Sequence, residues 1–191
     1  MIDFLNSIDT QLFLFLNGLH NAFFDPIMYW LSDKWIWVPM YVFMAYLIVK
    51  HYKMKGILII LTVGVVIALC DQTASHLIKH AVMRLRPSHE PSLVGLIHLS
   101  KAGPGGMYGF VSSHAANAFG LATFLYFVLD GRLRILKYWL FIWAILVSYS
   151  RIYNGVHYPG DVIVAAIIGT LIGWGMSKLF LYIENRRLKN K

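Results

Sequence analysis

Residues 150–181 read SRIYNGVHYPGDVIVAAIIGTLIGWGMSKLFL, a polar head followed by a run that is apolar almost throughout. The run, Val162 to Leu181, has 20 residues. At about 1.5 Å per residue it covers the roughly 30 Å hydrocarbon core of a bilayer. The head places Ser150, Arg151, His157 and Asp161 at the mouth of that span, with Pro159 suited to open a helix and Asp161 in its first turn. The same association of a greasy segment with basic or histidine side chains recurs at Lys79 with Arg86-Pro87, and at Ser112-Ser113-His114.

Composition agrees with this reading. A chain of 191 residues suits a single domain, 1–191, and 58% hydrophobic, 15% aromatic and only 14% charged residues exclude a soluble globule. The net charge of +8 would suggest nucleic acid in a soluble protein, but here the Lys and Arg residues fall mostly between apolar spans, where membrane topology accounts for them. Nucleic acid is therefore not an expected partner. Cys70 is the one cysteine and lies within an apolar run, so no intramolecular disulfide forms and a buried small hydrophobe is its expected role.

The fold expected is all-α: an integral membrane bundle of five helices, with a sixth allowed. The spans are Trp35 to Val49, Gly56 to Ile78, His114 to Leu129, Tyr138 to Tyr149 and Val162 to Leu181, with breaks at Asp25-Pro26 and Ser32-Asp33-Lys34. The apolar stretch Ile27 to Leu31 can extend the first of them, and the shorter spans are expected to run on into flanking polar residues. Before them, Ile2, Leu5, Ile8, Leu12, Phe13, Phe15, Leu16 and Leu19 recur at helical spacing among Asp3, Asn6, Asp9 and Asn17, which predicts an amphipathic helix in the membrane interface. Two aspartates and no Lys or Arg in residues 1–10 argue against a cleavable signal peptide.

Basic groups orient the bundle. Lys50, Lys53 and Lys55, then Arg132, Arg134 and Lys137, then Arg186, Arg187, Lys189 and Lys191 belong on the cytoplasmic side. Alternation of the spans then puts Lys79, Arg86, His114, Arg151, His157 and Asp161 on the opposite face, which in a bacterial inner membrane is the periplasmic or extracellular one.

Each piece alone has a plainer reading. Lys79 and Arg151 can be snorkelling cations near helix C-termini, Asp161 a first-turn acid, and Ser112 and Ser113 helix caps. Gly103, Gly105, Gly106 and Gly109 form a flexible loop in preference to an anion cradle. His76 and His80 have metal-compatible spacing but no surrounding ligand set, so no metal is expected there. Arg84, His89, His98 and Lys101 are loop residues able to meet a head group, and Asp71, Ser75 and Lys79 share one helical stripe on which Asp71 can pair with the lysine or with another polar group in the bundle. Chance does not explain three separated clusters of phosphate-competent residues on one membrane face.

The pattern resembles the type 2 phosphatidic acid phosphatase superfamily of membrane lipid phosphatases. Its first motif, lysine, six residues, arginine-proline, is matched by Lys79, Arg86 and Pro87. Its third, serine-arginine, five residues, histidine, three residues, aspartate, is matched by Ser150, Arg151, His157 and Asp161. Its second, proline-serine-glycine-histidine, is matched in part by Val111-Ser112-Ser113-His114, where Val111 replaces proline and Ser113 a glycine able to serve close backbone approach to phosphate. The motif region runs from Lys79 to Asp161.

The resemblance implies metal-independent hydrolysis, without a cofactor, of a phosphomonoester or terminal diphosphate on a membrane lipid. His157 is the implied nucleophile, oriented by Asp161, and His114 the acid and then the base. Lys79, Arg86, Arg151, Ser112 and Ser113 bind the phosphoryl oxygens, with the helix start beyond Ser112 adding its N–H groups. Undecaprenyl diphosphate is the first substrate expectation, followed by the phosphate of lipid A, then phosphatidylglycerol phosphate and phosphatidate. Phosphotransfer, a vanadate-dependent haloperoxidase and a non-catalytic lipid-phosphate binding or transport protein are the competing readings.

Overall fold

The computed structural model describes residues 2–189, and Lys191 of the C-terminal basic group lies outside them. Among the described residues eight α-helices follow in order: α1 (Ile2–Gly18), α2 (Phe24–Ser32), α3 (Val38–Tyr52), α4 (Met54–Asp71), α5 (Lys79–Val82), α6 (Ser113–Val128), α7 (Arg134–Tyr153) and α8 (Pro159–Lys189). A π-helical stretch, Gln72–Ile78, joins α4 to α5 into one continuous rod, Met54–Val82. Among the described residues there is no strand, only one isolated bridge between Leu85 and Tyr108.

Three rods, Met54–Val82, Gly131–Tyr153 and Pro159–Arg187, are long and apolar enough to cross a membrane. Their ends overrun the apolar runs into polar sequence on both sides, as short spans require. Large apolar side chains such as Phe43, Leu61, Ile142 and Leu171 stand exposed on the bundle's outside, which suits contact with lipid.

α6 is the axis of the bundle and packs against α8, α7 and α4. It can be central because small residues, Ala115, Ala116, Ala118, Gly120 and Ala122, are buried along it, with Leu121, Phe124 and Leu125 filling the core beside them. A Cβ on Gly169 of α8 would stand 2.2 Å from the Ala116 carbonyl oxygen, and one on Gly173 2.4 Å from that of Gly120. Glycines four apart thus let two backbones touch, the contact that dispersion rewards where lipid surrounds the bundle. Cys70 packs against Gly120 and is fully buried, as its apolar surroundings predict.

The structure corrects three expectations. Asp25-Pro26 is no break: it lies in the first turn of α2, where proline's missing N–H costs no hydrogen bond. Ile27–Leu31 belongs to that separate helix, cut from α3 by Asp33, whose carboxylate accepts the Trp35 N–H at 2.9 Å. In α1, Phe4, Leu5, Ile8, Leu12 and Phe15 are exposed while Phe13 is fully buried, and Asp9 and Asn17 turn inward to bind the protein. Asp9 and Asn17 are thus fasteners to the bundle, whereas Asp3 and Asn6 stay on the exposed side of the helix.

The basic connections gather at one end of the bundle. Lys55 pairs with Glu184 at 2.5 Å, and Arg132 reaches the His51 carbonyl at 3.3 Å. The long connection between α5 and α6, residues 83–112, covers the other end.

Candidate active site

Three separate stretches of chain meet beneath that connection. The head of α6 is tied to the head of α8 by a main-chain bond from the Ser112 N–H to the Asp161 carbonyl, at 3.2 Å. The end of the Met54–Val82 rod joins them through Lys79, whose ammonium donates to Ser113 Oγ at 3.1 Å. All eight residues singled out from the sequence, Lys79, Arg86, Ser112, Ser113, His114, Arg151, His157 and Asp161, therefore lie at one end of the bundle, opposite the basic connections.

His157 is 1% exposed and Asp161 is fully enclosed. His157 sits just before the helix that Pro159 opens, and Asp161 is in that helix's first turn. One carboxylate oxygen of Asp161 accepts the Tyr158 N–H at 3.0 Å and faces His157 Nδ1 at 3.3 Å. The plain first-turn reading and the functional one therefore hold together: the acid that finishes the helix start also faces the imidazole. With Nδ1 committed to Asp161, Nε2 is the ring nitrogen left for chemistry. Burial, and then the positive charges of Arg86, Arg151 and Lys79, hold the His157 pKa well below 6.5, while a hydrogen bond to the Gly109 backbone acts the other way. These causes favour the neutral imidazole at neutral pH.

Arg86 is buried, and its Nε donates to the Tyr108 carbonyl at 3.1 Å. Its Nη1 is buried without a partner among the described residues, as are Arg151 Nε and Ser112 Oγ. Arg151 is held from α2, through a bond from its Nη1 to Ser32 Oγ. Two fixed guanidinium groups with unused donors, beside a lysine, fit an anion with several oxygens. Leaving such donors unpaired is costly, and a bound phosphoryl group would remove the cost.

The glycine loop has a different use from either sequence reading. A Cβ on Gly105, whose φ is +69°, would lie 2.7 Å from Arg86 Nη1, and one on Gly109 would lie 3.0 Å from an Asp161 carboxylate oxygen. These glycines let the connection press against the two charged groups.

Several further expectations change. Ser112 occupies the N-cap of α6, but its hydroxyl makes no cap bond. Asp71 does not pair directly with Lys79: Ser75 Oγ donates to Asp71 at 3.3 Å, Ser75 and Ser113 share a 2.7 Å hydrogen bond, and Lys79 meets Ser113. Asp71 thus takes another polar group of the bundle, Ser75, and the two serines span the two helical turns to Lys79. Arg84 is no solvated loop residue but donates to Asp161 at 3.0 Å. His76 and His80 have ring centroids 6.2 Å apart.

Beside His114, a cavity of about 270 Å³ is lined by Ser32, Lys34, Asp71, Asn117 and Trp143. Tyr41, Asn117 and Trp143 also line a larger, mostly apolar cavity of about 540 Å³ between α3, α4 and α6. Space for a head group beside the histidine thus adjoins space for a hydrocarbon chain.

Comparison with known proteins finds relatives of the chain. Residues 55–185 match the family model described as the PAP2 superfamily. A lipid A 4'-phosphatase of Bacteroides thetaiotaomicron is 41% identical over 188 residues, 97% of this chain and 81% of that protein. One of Porphyromonas gingivalis is 33% identical over 190 residues, 98% and 79% of the two chains. An undecaprenyl-diphosphatase of Sulfolobus acidocaldarius is 30% identical over 180 residues, 93% and 79%. The crystal structure of LpxE from Aquifex aeolicus superposes with a TM-score of 0.62 at 25% identity, covering 88% of this chain and 94% of that one.

Proposed function

We propose, from the premise that this chain belongs to the PAP2 superfamily and is a lipid phosphatase, that it hydrolyses a phosphate monoester of lipid A through a phosphohistidine on His157. Lipid A replaces undecaprenyl diphosphate as the leading substrate, because the relatives with 41% and 33% identity both act on lipid A, whereas the undecaprenyl-diphosphatase is 30% identical. The observation that carries the chemistry is the buried pair of unpartnered guanidinium nitrogens, Arg86 Nη1 and Arg151 Nε, at the site of a neutral, carboxylate-oriented His157.

In the first half-reaction Nε2 of His157 attacks phosphorus in line, forming the N–P bond as the bond to the lipid oxygen breaks. Lys79, Arg86 and Arg151 take the charge on the non-bridging oxygens, and Asp161 compensates the positive charge that develops on the imidazole. His114, next to the 270 Å³ cavity, protonates the departing lipid oxygen. In the second half-reaction the same histidine takes a proton from water, the water oxygen attacks phosphorus, and the N–P bond breaks to release inorganic phosphate. Cationic side chains supply all the charge compensation that this route requires, so a divalent metal has no assigned task. The chain is read as multi-pass in a bacterial inner membrane, with five spans and the site on the outer face, and the apolar cavity between α3 and α4 takes an acyl chain.

The test is phosphate release by the purified chain and by His157→Ala, with chelator present, from lipid A and from undecaprenyl diphosphate. Chelator-resistant release from lipid A that vanishes in the variant is expected. Preference for the prenyl diphosphate would overturn the substrate reading, and full activity of His157→Ala would overturn the mechanism.

A further inference from the structure

Asp161 has two carboxylate oxygens, and only one is accounted for by His157 and Tyr158. The other accepts from Arg84 Nη1 at 3.0 Å, and the same nitrogen lies 2.8 Å from a carboxylate oxygen of Asp9 in α1. The second oxygen of Asp9 accepts the Gly160 N–H at 2.7 Å. The Arg84 guanidinium also stacks over the Tyr158 ring at 4.0 Å, and Phe13, one turn beyond Asp9, meets that ring edge-on at 5.4 Å. α1 therefore grips residues 158–160, immediately after His157, through an anion and an aromatic ring. Gly160 is the residue that permits it, since a Cβ there would lie 2.7 Å from the Asp9 carboxylate.

We propose that Asp9 and Arg84 are positioning residues of the hydrolysis, forming an Asp9–Arg84–Asp161 array through which α1 sets the orientation and charge of the carboxylate facing His157. One cation shared by two anions leaves the array with a net charge of minus one. That charge faces an imidazole which becomes cationic as its bond to phosphorus forms, so the array stabilises the transition state more than the ground state. The plainer alternative is that Arg84 merely neutralises a buried carboxylate, and Asp9 distinguishes the two. Neutralising Asp161 needs Arg84 alone, whereas charge balance at His157 needs Asp9 as well. Neither residue belongs to the three motifs.

The inference rests on His157 as the nucleophile. The experiment compares the full chain with Asp9→Asn, Arg84→Lys, Arg84→Gln and the double variant Asp9→Asn/Arg84→Gln, all on lipid A in detergent. It reads kcat, KM, the thermal midpoint, and the rate of radiolabelled phosphoenzyme formation in alkaline quench, which preserves phosphohistidine. Asp9→Asn keeps an oxygen acceptor for Gly160 but turns the group facing Arg84 into an NH2 donor, so both the charge and the ion pair are lost; kcat and phosphoenzyme formation are expected to fall about ten-fold, more than any drop in the folded fraction, with KM unchanged. Arg84→Lys retains more activity than Arg84→Gln, and the double variant is no worse than Arg84→Gln alone. Wild-type kcat in Asp9→Asn, fully additive losses in the double variant, or losses that follow the thermal midpoint would each overturn the array. A wild type active on lipid A with unaffected variants removes the array alone. A wild type that forms no phosphoenzyme removes the nucleophile reading and the array with it.

Discussion

Ser112 and Asp161, 49 positions apart, are joined main chain to main chain: the N–H of the residue that precedes α6 donates to the carbonyl of a residue in the first turn of α8, at 3.2 Å. The bond sets the register of the two helix starts that carry His114 and His157, independently of any side chain at the site. Farther down, the same two helices touch where Gly169 lies under the Ala116 carbonyl and Gly173 under that of Gly120. Close packing along the shaft and a main-chain bond at the head thus act on one relationship.

Gly169→Ala should loosen it. The new Cβ would meet the Ala116 carbonyl oxygen at 2.2 Å, so α8 has to move away from α6. A loss of about 1–3 kcal/mol is expected from overpacking, read as a lower thermal midpoint. Activity should fall by more than the folded fraction does, because the displacement reaches the mouth where the histidines sit. An unchanged midpoint would show that the helices separate at no cost.

Gly105→Ala should act on the phosphate site without touching the fold. The methyl group would lie 2.7 Å from Arg86 Nη1, and the φ of +69° is unfavourable for alanine. The guanidinium must swing off its position, so kcat/KM is expected to fall roughly 10–100-fold, on the order of one or two lost charge-assisted hydrogen bonds. Protection of the thermal midpoint by inorganic phosphate or vanadate should weaken in parallel. Full protection in the variant would mean that Arg86 Nη1 does not bind the anion.

The pH dependence follows from His157. Its pKa is held well below 6.5 by burial and by Arg86, Arg151 and Lys79, whereas in the unfolded chain it returns to about the ordinary value. Below pH 6.5 the unfolded state binds a proton that the folded state refuses, so this residue's contribution to stability is lost as pH falls. Its share is at most about 1.4 kcal/mol per pH unit. The thermal midpoint should drop between pH 7.5 and 5.5, and less steeply in His157→Gln. Equal slopes in the two proteins would assign the acid sensitivity to other groups. The acid limb of kcat/KM should not reflect His157 near pH 6.5, since the nucleophile stays neutral there.

How much of this was legible in the sequence depends on the range of the interaction. Apolar runs, basic connections and the three charged clusters are local patterns, and the all-helical bundle and the meeting of the clusters at one end follow from them. Contacts that depend on packing geometry do not. The spacing of Asp71, Ser75 and Lys79 leaves Asp71 open to the lysine or to another polar group, and does not show that two serines stand between them. Asp9 and Asn17 looked like the wet face of an interfacial helix, since hydropathy does not distinguish a polar group facing water from one bonded to a distant backbone. Arg84 stood two residues from Arg86 and was legible only as another loop cation, because its partner lies 77 positions away.

Ser113 is the departure to which the structure gives a side-chain contact. Against the family's usual glycine, a serine raised the question of lost backbone freedom, yet Ser113 lies within α6, where no positive φ is needed. Its hydroxyl instead accepts from Lys79 at 3.1 Å and bonds Ser75 at 2.7 Å, so the side chain has become the lysine's anchor. Restoring the usual residue with Ser113→Gly should therefore harm this protein. KM for lipid A is expected to rise about five-fold, the scale of one hydrogen bond of about 1 kcal/mol, with kcat little changed. Ser113→Ala should behave alike, since it removes the same oxygen without adding backbone freedom. If Ser113→Gly raises kcat/KM while Ser113→Ala lowers it, backbone freedom matters more here than the anchor.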